Sequence, residues 1–204
     1  MILTNKYNLN QIQFIIIKYI PIIAILKLLP YIYQKIFKIK KETKRPSIYQ
    51  NYLLHSIFAL YDSCHYIIDN IYLGSSLGAS NYNLLKYYHI KYIINITDMI
   101  PNFYQDKDIQ YFNINIKDDG IDTLNKNQLE NSYSFINQSV INKSNIFIHC
   151  FVGRSRSVSI IIYYLMKKYH LDYDTSLNII KNKRIYANPS IHLKNNINHL
   201  IYDC

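Results

Sequence analysis

The chain has 204 residues, of which 50% are hydrophobic and 18% are charged, enough apolar material for one folded domain of ordinary size. With only four glycines and five prolines, it is neither collagen-like nor a disordered chain rich in these residues. Its three scattered cysteines exclude a disulfide framework, and no cysteine and histidine cluster indicates a zinc site.

The net charge of +10 is concentrated at the N-terminus. Residues 1–48 carry nine basic residues and one acid, whereas residues 49–204 carry fourteen basic and twelve acidic residues. A nucleic-acid-binding domain carries its basic patch on the folded body. We therefore expect no nucleic-acid partner.

In the N-terminal segment an apolar run is followed by a basic cluster. The run Phe14–Tyr33 has the length of a bilayer span, but Lys18 and Lys27 interrupt it. The basic cluster Lys35–Arg45 follows, an order typical of segments that lie on an anionic membrane or are anchored to it. The alternative is a helix that packs on the domain. We expect a cytoplasmic protein whose apolar N-terminal helical segment, residues 1–48, takes one of these two roles.

After a predicted linker at residues 46–51, strand and helix patterns alternate through a second domain, residues 52–204. Runs rich in β-branched and aromatic residues predict strands, and apolar residues at helical spacing predict helices. The alternation favours an α/β fold with a central mixed, partly parallel sheet flanked by helices. The predicted strands are Tyr66–Leu73, Lys91–Thr97, Tyr111–Ile116 and Asn145–His149, and the predicted helices are Asn81–Tyr88, Asn125–Ile141, Ser157–Lys168, Tyr173–Lys183 and Ile191–Tyr202.

The segment Asn145–Met166 is the most informative part of the chain. A short apolar strand ends at His149, Cys150 follows, and a loop with one glycine leads into a long apolar helix. A loop that opens a helix points several backbone N–H groups into one concavity, where the helix dipole adds partial positive charge. Gly153 allows such a loop to curl tightly. The sequence therefore predicts an anion site in this loop.

Two side chains give the predicted anion site its chemistry. The planar guanidinium of Arg156 can hold two oxygens of a phosphate. The thiol of Cys150 lies in the same positive field, where thiol pKa values fall from about 8.5 to roughly 3.5–7.5. A thiolate that faces a bound phosphorus is a nucleophile in place. This chemistry requires neither a metal ion nor a cofactor.

The residues His149–Ser157 read HCFVGRSRS, which resembles the H-C-x-x-G-x-x-R-[S/T] signature of cysteine-dependent protein tyrosine phosphatases, in their dual specificity branch. The resemblance covers about residues 66–202. It implies that Cys150, Arg156 and Ser157 are catalytic, the Ser157 hydroxyl donating to the departing sulfur, and that His149 keeps the loop ordered. It also implies that phosphate contacts the loop residues Phe151, Val152, Gly153, Arg154, Ser155 and Arg156.

The phosphatase family that the chain resembles also uses an aspartate as general acid. This aspartate lies on a loop that precedes the nucleophile in sequence. Asp118 lies 32 residues before Cys150 and follows the predicted strand Tyr111–Ile116, so the resemblance favours it. Asp119 is the alternative, and Asp122 is a more distant one.

Arg184 and Ala187–Ser190 resemble the segment that precedes the last helix in the family. Ser190 and Leu193 depart from the family pattern, in which an asparagine and an aromatic residue are usual. We expect these departures to affect packing and to leave the chemistry unchanged.

The resemblance implies that the substrate is a phosphorylated protein and that phosphotyrosine, phosphoserine and phosphothreonine are hydrolysed through a cysteinyl-phosphate. Phe151 and Val152 are apolar, whereas lipid phosphatases of the superfamily usually carry lysines in this loop. Arg154 and the N-terminal segment keep a phospholipid or phosphoinositide phosphatase as the alternative. A catalytically dead phosphoprotein-binding module is a third interpretation, but the sequence retains the cysteine, the arginine and the aspartate.

Overall fold

The computed structural model describes residues 59–60, 63–117 and 121–202, all within the unit Tyr52–Cys204. The predicted N-terminal segment and its linker lie outside the described residues. In the described part of the chain, no helix is both long enough and apolar enough to cross a membrane.

Strands and helices alternate along most of the described chain. The sequence predicts this alternation because its apolar spacing changes from strand-like to helical and back. The strands are β1 Cys64–Ile68, β2 Ile71–Gly74, β3 Ile90–Asn95, β4 Gln110–Asn113 and β5 Asn145–His149. The helices are α1 Ser76–Ala79, α2 Tyr82–Tyr87, α3 Lys126–Ile141, α4 Arg156–Tyr169, α5 Tyr173–Lys181 and α6 Ile191–Tyr202.

The strands form one five-stranded sheet in the order β1-β2-β5-β3-β4. Strands β1 and β2 pair antiparallel, and the remaining neighbours pair parallel. Parallel neighbours need helical crossovers, which cover the faces of the sheet. The predicted α/β fold with a mixed, partly parallel sheet is therefore confirmed.

The central strand β5 is buried on both of its faces. Ile146 and Ile148 belong to the larger hydrophobic core, which also contains the apolar residues of α4. Phe147 points the other way, into a smaller core with Ala79 of α1 and Leu85 of α2. A strand covered on both faces reads as a continuous apolar run, which is why its bounds are predicted correctly.

Helix α4 is more deeply buried than the other described helices. Its first eleven residues, Arg156–Met166, are all buried. Each fully buried leucine or isoleucine contributes roughly 1.5–3 kcal/mol to stability. This burial fixes the helix N-terminus beside the end of β5.

The predicted single strand Tyr66–Leu73 is wrong, because β1 and β2 form a hairpin that reverses at Asp69 and Asn70. Asp69 has a φ of 52°, in the left-handed region that aspartate and asparagine tolerate. Its carboxylate accepts a hydrogen bond from Tyr169 Oη, and Asn70 Nδ2 donates to the carbonyl of Ser144. These distant partners hold the turn, and the local apolar pattern does not report them.

The other predicted strands and helices are confirmed, with ends that differ by up to three residues. The largest difference is in β4, which ends at Asn113, although Ile114 N still donates to the carbonyl of Asn95 at 2.9 Å. Helix α1 is not predicted, since the sequence around Gly74 indicates only a turn.

Candidate active site

The predicted anion loop, residues 150–156, lies where three strands end. In the parallel register, His149 of β5 lies opposite Gly74 of β2 and Asn95 of β3. Cys150 is the first residue after β5, and Arg156 is the first residue of α4. The carboxyl ends of parallel strands form the usual binding edge of an α/β sheet. The loop therefore lies at this edge, against the N-terminus of a buried helix.

The backbone at Gly153 requires glycine. Its φ is 72°, and a Cβ atom built there would lie 2.2 Å from the carbonyl oxygen of Gly74. A side chain would therefore force the anion loop away from the end of β2, in addition to the strain of a left-handed backbone.

Donors outside the anion loop bind its carbonyl groups. Both the backbone nitrogen and the hydroxyl of Ser76 donate to the carbonyl of Phe151, each at 3.0 Å. The backbone nitrogen of Asn188 donates to the carbonyl of Arg154 at 2.8 Å. The loop is thus tied to α1 on one side and to the segment before α6 on the other.

Arg184 binds the two carbonyls between these. Its Nη2 donates to the carbonyl of Val152 at 3.0 Å, and its Nε donates to the carbonyl of Gly153 at 2.8 Å. Four consecutive carbonyls, those of residues 151–154, therefore have hydrogen-bond donors outside the loop. Successive backbone N–H groups that converge on one concavity bind anions.

The sulfur of Cys150 accepts hydrogen bonds from Gly153 N at 3.2 Å and from the Ser157 hydroxyl at 3.3 Å. Burial of the thiol raises its pKa, whereas the charge of Arg156 and hydrogen bonds from Ser157 and the Arg154 backbone lower it. The lowering prevails, so the pKa of Cys150 lies below its ordinary value. The site therefore favours the thiolate, which is the nucleophilic form.

Arg156 connects the anion loop with the segment predicted to carry the acid. Only 2% of its surface is exposed, and its Nη1 donates to the carbonyl of Ile116 at 3.0 Å. Ile116 directly precedes the acid segment, which we define as residues 117–124. A buried guanidinium beside the thiol also supplies the positive charge that an approaching phosphate requires.

His149 lies beneath the anion loop. Burial and the charge of Arg156 together lower the pKa of His149 to about 4, although a hydrogen bond to the carbonyl of Cys150 opposes this. Its ring is therefore neutral at pH 7, and Nδ1–H donates to the carbonyl of Cys150 at 3.2 Å. The ring also stacks on Phe147, with 5.8 Å between the ring centroids. These contacts support the loop from below.

Two of the three candidate acids, Asp118 and Asp119, lie outside the described residues, so their roles stay predictions. Asp122 is described, and its Oδ2 accepts a hydrogen bond from the backbone nitrogen of Lys117 at 2.8 Å. An aspartate bonded to a backbone nitrogen a few residues away is typical of a turn. This contact gives Asp122 a role in closing the acid segment.

Helix α6 binds the far end of the acid segment. Nε2 of His192 donates to the carbonyl of Ile121 at 2.9 Å, and Leu124 N donates to Oδ1 of Asn196 at 3.1 Å. Leu124 is buried, whereas Ile121 is 76% exposed. Two hydrogen bonds with α6 therefore hold the described end of the acid segment, residues 121–124.

Comparison with known proteins identifies this combination of fold and loop. The family model described as dual specificity phosphatase, catalytic domain, matches residues 71–201, more than half of the chain. The chain belongs to this family. The predicted resemblance to cysteine-dependent tyrosine phosphatases of the dual specificity branch is thereby confirmed.

Named relatives agree with this dual specificity phosphatase family. Human dual specificity protein phosphatase 9 is 32% identical over 127 residues, which are 62% of this chain and 33% of that protein. Dual specificity protein phosphatase 1 of Arabidopsis thaliana is 34% identical over 124 residues, 61% of this chain and 62% of that protein. The crystal structure of DUSP15 is 26% identical, with a TM-score of 0.63 over 69% of this chain and 89% of that one. The chain thus spans less than two thirds of both curated relatives.

The sequence interpretation missed two residues of this dual specificity phosphatase site. Ser76 lies outside every predicted strand and helix, and the sequence predicts no contact between Arg184 and the loop. Both bind loop carbonyls, from positions 75 and 32 residues away from their partners Phe151 and Val152. The signal available for Arg184 was its place in a segment that resembles the family. Sequence spacing does not show which groups it binds.

Proposed function

We propose that this chain is a phosphoprotein phosphatase that hydrolyses phosphotyrosine and phosphoserine or phosphothreonine through a cysteinyl-phosphate. The observation that carries the proposal is the sulfur of Cys150, which accepts hydrogen bonds from Gly153 N and Ser157 Oγ beside the buried Arg156. Such a lowered-pKa thiol at a helix N-terminus serves as a nucleophile toward an anionic substrate.

In the first step, the Cys150 thiolate attacks phosphorus in line with the leaving oxygen. An S–P bond forms while the P–O bond breaks, and Asp118 gives its proton to the departing oxygen. Arg156 and the amides of the anion loop hold the equatorial oxygens of phosphorus, where negative charge is spread in the transition state.

In the second step, water hydrolyses the cysteinyl-phosphate. Asp118, now ionised, takes a proton from the attacking water, the S–P bond breaks, and inorganic phosphate forms. The Ser157 hydroxyl donates to the sulfur as it becomes a thiolate again, a role supported by its 3.3 Å contact with Sγ. The same hydrogen bond therefore assists a sulfur that leaves as well as one that attacks.

A protein is the favoured substrate, because the anion loop carries no lysine. Phe151 and Val152 are partly exposed and apolar, whereas Arg154, the residue that keeps a phosphoinositide as the alternative, is only 7% exposed. A buried arginine can contact a phosphate within the loop, but it offers little surface to a larger lipid headgroup.

The test is turnover of a phosphotyrosine peptide, a phosphothreonine peptide and a phosphoinositide by the full chain, with the C150S variant as control. We expect release of phosphate from both peptides, and none from any substrate with the control. Preferential turnover of the phosphoinositide would favour the lipid phosphatase. Binding of the peptides without any turnover would favour the dead module.

We further propose that residues 1–48 bring the catalytic domain, residues 52–204, to the cytoplasmic surface of anionic membranes. The support is the sequence, in which this segment holds nine basic residues, one acid and a twenty-residue apolar run. Each lysine or arginine near an anionic surface contributes about 1 kcal/mol to binding, in addition to apolar burial.

The membrane proposal is tested by sedimenting the full chain with phosphatidylserine vesicles and with phosphatidylcholine vesicles. We expect salt-sensitive binding to the former only, reduced when three lysines of the segment become glutamine. The control replaces three lysines of the catalytic domain instead. An equal loss of vesicle binding in this control would contradict the proposal, and so would a full chain that does not bind phosphatidylserine vesicles. The replaced segment residues are Lys38, Lys40 and Lys41, and the replaced body residues are Lys86, Lys181 and Lys183.

A further inference from the structure

The side chain of Arg184 is a hub under the anion loop. It is completely buried, and its guanidinium binds acceptors from separate parts of the chain. Besides the carbonyls of Val152 and Gly153, it donates through Nη2 to the carbonyl of Ala59 at 2.5 Å. Its Nη1 lies 3.1 Å from Nδ1 of His65, on strand β1. A guanidinium only donates, so this nitrogen of His65 is the acceptor.

The hub determines which way two peptide units of the anion loop face. The carbonyls of Val152 and Gly153 accept from Nη2 and Nε of Arg184, two donors of one planar group. Each of these peptide units also carries the N–H of the next residue, on the opposite side from its carbonyl. The N–H in the same peptide plane as the Val152 carbonyl is Gly153 N–H, which donates to the sulfur of Cys150 at 3.2 Å.

A single peptide plane thus links Arg184 to the nucleophile. If the Val152 carbonyl lost its donor, that plane could rotate and its N–H would leave the sulfur. Gly153 offers little resistance to such a rotation, because glycine adopts backbone conformations that other residues avoid. The left-handed backbone at Gly153 therefore needs an external restraint, and Arg184 provides one.

We propose that Arg184 is a positioning residue for the phosphatase reaction, which orients the Val152–Gly153 and Gly153–Arg154 peptide units toward the Cys150 sulfur and the bound phosphate. Arg184 itself touches neither the sulfur nor the substrate in this proposal. It deepens the proposed function, on which it depends for its catalytic meaning. Lysine cannot replace it, since an ammonium lacks the planar fork that spans two carbonyls.

The experiment compares R184K and R184M with the wild-type full chain. The first readout is the pH dependence of the rate at which iodoacetamide alkylates Cys150. The second readout is the competitive inhibition of this alkylation by inorganic phosphate. We expect the midpoint of the alkylation profile to rise by about one pH unit in both variants, as for a lost hydrogen bond to an ion. Turnover should fall on the order of 100-fold, the usual cost of misplaced reacting groups, and phosphate should inhibit more weakly.

The matched control is K183M, which removes a positive charge from the adjacent, exposed position. We expect its alkylation midpoint and its inhibition by phosphate to equal those of the wild type. A purely structural role for Arg184 would lower the melting temperature and leave both readouts unchanged in the folded variants. That result would overturn the proposal, and so would an equal shift in the control.

A second variant covers the case in which both Arg184 variants fail to fold. H65F removes an acceptor of the Arg184 fork while the arginine stays in place, so we expect a smaller rise of the same midpoint. An unchanged midpoint in folded H65F protein would then overturn the proposal. Alkylation and phosphate inhibition need no phosphoprotein, so failure of the wild type to turn over any substrate would reject the proposed function and leave this test intact.

Discussion

The anion loop and the acid segment lie at the same edge of the sheet, but they are restrained in different ways. In the anion loop, four consecutive carbonyls accept hydrogen bonds from Ser76, Arg184 and Asn188, and its glycine contacts the end of β2. In the described part of the acid segment, hydrogen bonds involve Lys117 N, Leu124 N and the carbonyl of the exposed Ile121.

This difference follows from what each region has to do. A thiolate is stabilised only by dipoles and charges at fixed distances, so the anion loop must be held at every peptide unit. A general acid must only come within hydrogen-bond reach of the leaving oxygen. Changes in the two regions should therefore have different kinetic signatures: changes in the anion loop alter the thiol and phosphate binding, and changes in the acid segment alter the response to the leaving group.

The largest effect should come from C150S, which removes the nucleophile and keeps the loop. Turnover should fall below about a thousandth of the wild-type rate, at least 4 kcal/mol of barrier, because a serine hydroxyl ionises far less readily than a thiol. Binding of a phosphopeptide, measured by calorimetry, should persist, since Arg156 and the loop amides remain. A rate above that limit would exclude the covalent mechanism.

The next largest effect should come from R156K, which keeps the charge but loses the planar fork. We expect a loss of roughly 300-fold in kcat/KM, within the range for removal of a transition-state oxyanion donor. The variant also loses the geometry that binds the carbonyl of Ile116 at 3.0 Å. Steady-state kinetics with an aryl phosphate measures this loss, and K168R on the same helix is a control that should leave kcat/KM unchanged.

D118N should lower turnover of phosphopeptides by about 100-fold, because the leaving alkoxide or phenoxide then departs without a proton. The loss should become small for an aryl phosphate with an acidic leaving group. D119N and D122N are the matched comparisons, and D122N should show no leaving-group dependence, since its carboxylate binds Lys117 N. The same leaving-group pattern in D119N alone would shift the assignment by one residue.

How far the sequence predicts this site depends on the range of the contacts. Cys150 and Arg156 are found because a buried strand, a loop with one glycine and an apolar helix are contiguous in sequence, and the resemblance to the family signature adds Ser157. The hairpin turn at Asp69 is missed, because the residues that hold it come from α4 and from Ser144, the residue before β5. Arg184 is missed for the same reason, since its partners are distant and its burial follows from packing.

S157A should sharpen the comparison within the anion loop. The hydroxyl of Ser157 helps to lower the pKa of Cys150, so its loss should raise that pKa. Less thiolate then remains at a given acidic pH, and the rise of the alkylation rate moves to higher pH. Breakdown of the cysteinyl-phosphate should slow by about tenfold. Rapid-mixing kinetics would show this slowing as a larger burst of the first product. S159A, a buried serine of the same helix, is the control and should move neither quantity.

The smallest effect should come from H192A, which removes a restraint of the acid segment. The variant loses the hydrogen bond from Nε2 to the carbonyl of Ile121, a partly exposed contact that contributes about 1 kcal/mol. We expect turnover of phosphopeptides to fall by about fivefold, because the acid segment is held less firmly near the leaving oxygen. Turnover of an aryl phosphate with an acidic leaving group and the pH midpoint of Cys150 alkylation should both stay at wild-type values. N195A, an exposed position on the same helix, should change none of the three. A shifted alkylation midpoint in H192A would mean that the two regions are coupled and that the contrast between them fails.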